Sequence, residues 1–143
     1  MNDVFNEFAN YINCGNLEKA KELYKNYPGI NISTYNEYAF RYACEKGHLK
    51  IAKWLLDIKP NINISAGDEY AFRRVCENGY LEVAKWLLEI KPDININVED
   101  NWAFKYSSII IKKWLSHYIS YYYTSNFRTI ANICKYSGLF DLI

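Results

Sequence analysis

The sequence predicts an all-α solenoid of helix-turn-helix-loop units: about four 32-residue repeats followed by a degenerate C-terminal cap. Three observations predict it. First, residues recur with a period of 32: Pro28, Pro60 and Pro92; Gly15, Gly47 and Gly79; Leu17, Leu49 and Leu81; Phe8, Phe40, Phe72 and Phe104. Second, laying residues 33–64 over 65–96 without gaps gives 21 identities in 32 positions, which chance does not produce. Third, within each period the apolar residues fall at helical spacing, and neither helix can bury its apolar side alone, so neighbouring units must stack.

The elements follow in order. Residues 1–32 read as an N-terminal capping repeat, because Glu22 stands where later units place Trp54, Trp86 and Trp114, and a cap needs a polar outer face. In 33–64, Phe40, Ala43 and Cys44 share one face of a first helix, which Gly47 ends. A second helix from Leu49 buries Ile51, Ala52, Leu55 and Leu56 and stops before Pro60, which has no amide proton. The polar-apolar alternation of 61–65 predicts a short extended stub. Residues 65–96 repeat the plan. In 97–120 only 12 residues separate Trp102 from Trp114, against 16 from Tyr70 to Trp86, so the two helices there are fused or joined by a tighter turn. Ile130, Cys134 and Leu139 repeat the spacing of Phe40, Cys44 and Leu49, which makes 121–143 the degenerate cap.

Residues 43–56, Ala-Cys-Glu-Lys-Gly-His-Leu-Lys-Ile-Ala-Lys-Trp-Leu-Leu, and their counterpart from Val75, are similar to the core of the ankyrin repeat, Ala-Ala-x-x-Gly-His-Leu-x-x-Val-x-x-Leu-Leu. The family's Thr-Pro-Leu-His segment appears as Tyr-Ala-Phe-Arg from Tyr38 and again from Tyr70, and as Trp-Ala-Phe-Lys from Trp102. The Thr and His that tie ankyrin units together are therefore missing, and other groups must replace them. This divergent pattern resembles the ankyrin paralogues of giant DNA viruses. An excess of Ile, Asn, Tyr and Lys, all with A/T-rich codons, agrees with that. The resemblance implies a protein-binding module that contacts partners through loop tips and the exposed side of its first helices. Carried onto this chain, the footprint is Thr34, Tyr35, Glu37, Arg41 and Glu45; then Ala66, Gly67, Glu69, Arg73 and Glu77; then Val98, Glu99, Asn101 and Lys105. The loop residues Thr34-Tyr35-Asn36 change to Ala66-Gly67-Asp68 and then Val98-Glu99-Asp100 while the packing columns hold.

The remaining features mostly exclude. A net charge of +1 argues against a nucleic-acid binder, although Arg41, Arg73 and Lys105 form a basic column that leaves this reading as the alternative, beside a structural remnant with no partner. Glu45 and Glu77 stand four residues after the arginines and are expected to pair with them. Four cysteines without a C-x-x-C, and two histidines, give no zinc framework and no cofactor. Cys44 and Cys76 read as small buried hydrophobes, and Cys14 as an exposed thiol. His48 reads as a turn residue and the Trp column as packing between repeats. No phosphate loop, nucleophile elbow or paired-carboxylate motif appears, so no enzyme is expected. Without a secretory signal or a long apolar run, a monomeric cytoplasmic chain off the membrane is expected, in a host cytoplasm if it is viral.

Overall fold

A computed structural model describes residues 2–123, and the candidate cap around Ile130, Cys134 and Leu139 lies outside them. The described chain forms eight helices: α1 Asn2–Asn13, α2 Leu17–Asn26, α3 Thr34–Glu45, α4 Leu49–Ile58, α5 Ala66–Asn78, α6 Leu81–Ile90, α7 Val98–Lys105 and α8 Ile109–Tyr123. They pair as α1/α2, α3/α4, α5/α6 and α7/α8. The first helices α1, α3, α5 and α7 also lie side by side in chain order. Their backbones approach more closely than those of the second helices, so the first helices line the inner side of the array.

The periodic residues are the core. Phe8, Phe40, Phe72 and Phe104 are all buried, and Ala20, Ala52 and Ala84 are closed to solvent beside Leu23, Leu55 and Leu87. Each unit covers the next through these columns. Trp54 on α4 packs on Phe8 of the first unit with ring centroids 6.1 Å apart, and Trp86 on α6 packs on Phe40 of the second at 6.3 Å. The tryptophans therefore reach back one repeat, while Trp114 meets Tyr118 on its own helix. Glu22, in the first unit's place of this column, is exposed.

The turns need glycine for a contact reason. Gly15 and Gly47 have φ near +73° and +74°, and a Cβ at either would meet the next unit's side chain: His48 at 2.8 Å and Tyr80 at 2.7 Å. His48 makes no side-chain bond at the start of its own helix. Its Nε2 instead donates to the carbonyl of Asn13, 3.2 Å away, closing the end of α1.

One local expectation differs from what is observed, and one that stood open between a fused helix and a tighter turn is resolved as the turn. The segment 61–65 is no strand. The side chains of Asn31, Asn63 and Asn95 each accept the backbone amide two residues on, at 3.1 Å, and this bends every loop into a turn. In the fourth unit the helices are separate. Tyr106, Ser107 and Ser108 connect them, and Ser108 Oγ accepts the amide of Ile111, doing the work of an N-cap with the deleted residues gone.

Replacing Trp86 by Ala is expected to lower stability by about 3–5 kcal/mol, since it removes a buried aromatic that joins two repeats. Thermal or urea unfolding measures it; an unchanged midpoint would contradict this packing.

Candidate functional site

The first helices do not begin as ordinary helices. Tyr35, Asn36 and Glu37 have φ of 53°, 58° and 60°, a left-handed turn at the start of α3 before its right-handed part. Gly67, Asp68 and Glu69 repeat it with φ of 69°, 55° and 57°. In the fourth unit Glu99 and Asn101 have φ of 50° and 62°. Side chains with a Cβ pay roughly 1–2 kcal/mol per residue for this conformation. The sequence reading treated these residues as a simple loop tip.

What holds the tips is the arginine column. Arg41 Nε donates to the carbonyl of Asn36 at 2.7 Å, and its Nη2 to that of Tyr35 at 3.1 Å. Arg73 does the same to Asp68 and Gly67, and its Nη1 pairs with Glu99 of the next tip. Each guanidinium also lies over the next unit's ring: Arg41 over Tyr70 at 4.7 Å and Arg73 over Trp102 at 5.8 Å. The expected pairing of Arg41 with Glu45 and of Arg73 with Glu77 does not form, because the tip carbonyls take the guanidiniums. Glu77 binds Arg74 instead.

Two further ladders replace the missing family ties. Glu37 is buried; its Oε1 accepts from Ser33 Oγ at 2.7 Å and from the backbone amide of Asn63, in the next loop, at 3.4 Å. Glu69 takes Ser65 Oγ at 2.8 Å and the amide of Asn95 at 3.3 Å. The other oxygen of each carboxylate is buried with no protein partner. On the inner face, Tyr70 Oη donates to Glu45 at 2.6 Å and Trp102 Nε1 to Glu77 at 3.4 Å, again unit to previous unit. Burial, and then this bond to Glu45, push the Tyr70 pKa up, so its hydroxyl remains a donor.

These contacts sort the expected partner residues. Glu37, Glu69, Ala66 and Arg73 are buried and present little to a partner. Arg41, Glu45 and Glu77 are partly covered and engaged within the array. Thr34, Tyr35, Gly67, Val98, Glu99, Asn101 and Lys105 keep accessible surface along the tips and the inner face, with Tyr35 60% exposed. The reading missed Tyr38, Tyr42, Arg74 and Trp102, which pave that face: Tyr38 stacks on Tyr42 at 4.0 Å, and Arg74 lies between Tyr70 and Trp102. Their 32-residue spacing was visible in the sequence. Beside Tyr35, a cleft of about 520 Å³ opens between Val4, Phe5, Tyr27, Pro28 and Ile30. Cys44 and Cys76 are buried, and burial raises their thiol pKa values. Among the described residues no group of three or more His, Cys, Asp or Glu side chains could hold a metal ion.

Residues 8–100 match the family described as ankyrin repeats (3 copies). The chain is also similar to the X-ray structure of an ankyrin repeat family protein from Legionella pneumophila, with 25% identity and a TM-score of 0.70. That match covers 82% of this chain and 39% of the other, so the chain spans well under half of that protein's length. No curated protein matches it.

Arg73→Ala is expected to lose about 2–4 kcal/mol of stability, because it frees a strained tip and unpairs Glu99. Arg73→Lys should recover little of it, since an ammonium lacks the fork that bridges two carbonyls and a carboxylate. Denaturant unfolding of both variants checks this. A native-state thiol reagent with peptide mapping should modify Cys14 and leave Cys44 and Cys76 unmodified until the chain unfolds; early labelling of either would contradict their burial.

Proposed function

The chain belongs to the ankyrin repeat family, and from that premise we propose that it is a non-catalytic protein-protein interaction module, presenting its tips and first-helix face to a partner protein. Ankyrin repeats are in general interaction modules on a scaffold fold. One observation carries the reading for this chain: the exposed tip residues change from unit to unit while the backbone beneath them is held in one conformation. Tyr35, Gly67 and Glu99 occupy equivalent places on near-identical left-handed turns. A fixed backbone that carries different side chains supports recognition, because little conformational entropy is lost when a partner docks.

The finer reading is a monomeric viral protein that acts on host factors in the host cytoplasm. It rests on the Tyr-Ala-Phe-Arg and Ala-Lys-Trp-Leu-Leu signatures and on the A/T-rich codon bias. No helix of the described residues is long and apolar enough to cross a membrane. The nucleic-acid alternative is weakened by the arginines themselves. Arg41 and Arg73 each spend two N–H donors on tip carbonyls, and Arg73 is buried, so the column offers little to a phosphate.

The test is affinity capture from host-cell lysate with three baits. They are the wild type, an inner-face variant carrying Tyr35→Ala, Asp68→Ala and Lys105→Ala, and an outer-face variant carrying Lys21→Ala, Lys50→Ala and Glu89→Ala. The wild type and the outer-face variant should hold the same protein, and the inner-face variant should lose it. Equal capture by both variants would sink the inner-face assignment. Salt-sensitive capture of nucleic acid instead would favour the alternative.

A further inference from the structure

The first unit lacks one component of the tip machinery. At the place of Arg41 and Arg73 it has Ala9, and at the place of Glu37 and Glu69 it has Phe5. In the later units each arginine supplies a guanidinium to the next unit's ring, Arg41 to Tyr70 and Arg73 to Trp102. The corresponding ring for the first unit is Tyr38. It stacks on Tyr42 at 4.0 Å and meets the edge of Phe5 at 6.4 Å, and among the described residues no cation lies over it. Where the guanidinium would sit there is a cleft of about 300 Å³, lined by Phe5, Ala9, Asn10, Asn13, Tyr35 and Tyr38.

The lining fits a planar cation. None of the residues that line it, Asn6 included, is charged. Asn13 donates to Tyr38 Oη at 3.1 Å, and its Oδ1 is buried with no partner. An unsatisfied amide oxygen and an aromatic ring that carries no cation, in a recess without charged side chains, together ask for a donor that is both positive and flat.

We propose that this cleft is a receptor site for an arginine side chain of the partner protein, which stacks on Tyr38 as the chain's own Arg41 does on Tyr70. The site rests on the interaction-module reading and names the anchor by which a partner engages the first unit. A guanidinium is favoured over an ammonium because the chain uses arginine at the two places, Arg41 and Arg73, where the column covers the next unit's ring, whereas Lys105 lies over Tyr106 of its own unit. A guanidinium can also cover a ring with its plane while its edge reaches an amide oxygen.

The experiment is an amide-resolved NMR titration of the full chain with capped Gly-Arg-Gly, and with the same peptide carrying lysine or the neutral isostere citrulline. The arginine peptide should shift amides of α1 and of Tyr35 and Tyr38 saturably, with a roughly millimolar Kd as befits one anchor residue. The lysine peptide should bind more weakly and the citrulline peptide more weakly still. Ala9→Arg fills the cleft from within and should reduce affinity roughly tenfold or more. Should that variant lose the wild-type spectrum, Tyr38→Leu removes the ring while keeping apolar bulk and should produce the same loss. Equal affinity for the three peptides, shifts that avoid the cleft, or wild-type binding by a folded Ala9→Arg or Tyr38→Leu chain would overturn the proposal. Any of these leaves the inner-face reading standing, because that reading is decided by lysate capture with substitutions spread over the second, third and fourth units.

Discussion

The second and third units are each registered on the next by a carboxylate buried at the base of the tip. Glu37 and Glu69 accept a hydroxyl from their own loop and an amide from the loop that follows, so one side chain fixes both the turn it sits in and the distance to its neighbour. The apolar columns alone cannot set that register, because rows of Phe, Ala and Leu tolerate small slides along the array. A buried carboxylate resists them: moving the next loop away removes one of its two donors, and its other oxygen has no protein donor to make up the loss. The tie is thus directional where the packing is not, and the rings of Tyr70 and Trp102 repeat it on the inner face through Glu45 and Glu77.

The register carries a local cost, and the arginine column offsets it. Bringing the glutamate into the core requires the chain to turn left-handed just before α3 and α5, through residues that mostly have a Cβ. The reversed turn aims its carbonyls at the following helix, and Arg41 and Arg73 stand one turn along to take them. Charge-assisted bonds of this kind contribute roughly 1.5–3 kcal/mol each, enough to balance a strained turn. In the second and third units, glutamate, left-handed turn and arginine therefore act together.

These roles explain what could be read in advance. Columns that pack, such as the phenylalanines and the Gly turns with their covering His48 and Tyr80, repeat because sterics admit few substitutes, so the period exposed both the fold and its core. The footprint from residue 34 to residue 105 was less legible. Glu37 and Arg41 look like surface residues when helical spacing is counted, because an ordinary helix start would point them outward. Three left-handed residues in a row break that count, and Tyr35 and Asn36 advertise nothing of the kind. A weak signal existed: the glutamate and the arginine persist between the second and third units, while Thr34, Tyr35 and Asn36 beside them change. The turn joining α7 to α8 was open for a similar reason, since deleting four residues is compatible with a fused helix until the Ser108 side chain is seen bonded to the helix it starts.

The first unit lacks all three parts of the device, whereas the fourth keeps left-handed residues with Asn101 and Lys105 in the places of the glutamate and the arginine. None of the described residues of α1 has a positive φ ahead of Cys14, so no reversed carbonyls need capping and no glutamate needs seating. Phe5 and Ala9 stand in the two vacated places, one adding apolar surface and the other removing bulk. As a result the clefts of about 520 and 300 Å³ both open beside Tyr35, at one end of the array. Farther along, the guanidiniums of Arg41 and Arg73 occupy the corresponding space, and what faces solvent is a narrow ridge of varied tips. A surface that is recessed and uncharged at one end and raised at the other gives a docked chain a direction. The fold supplies that asymmetry by letting a single unit omit the parts that its position makes unnecessary.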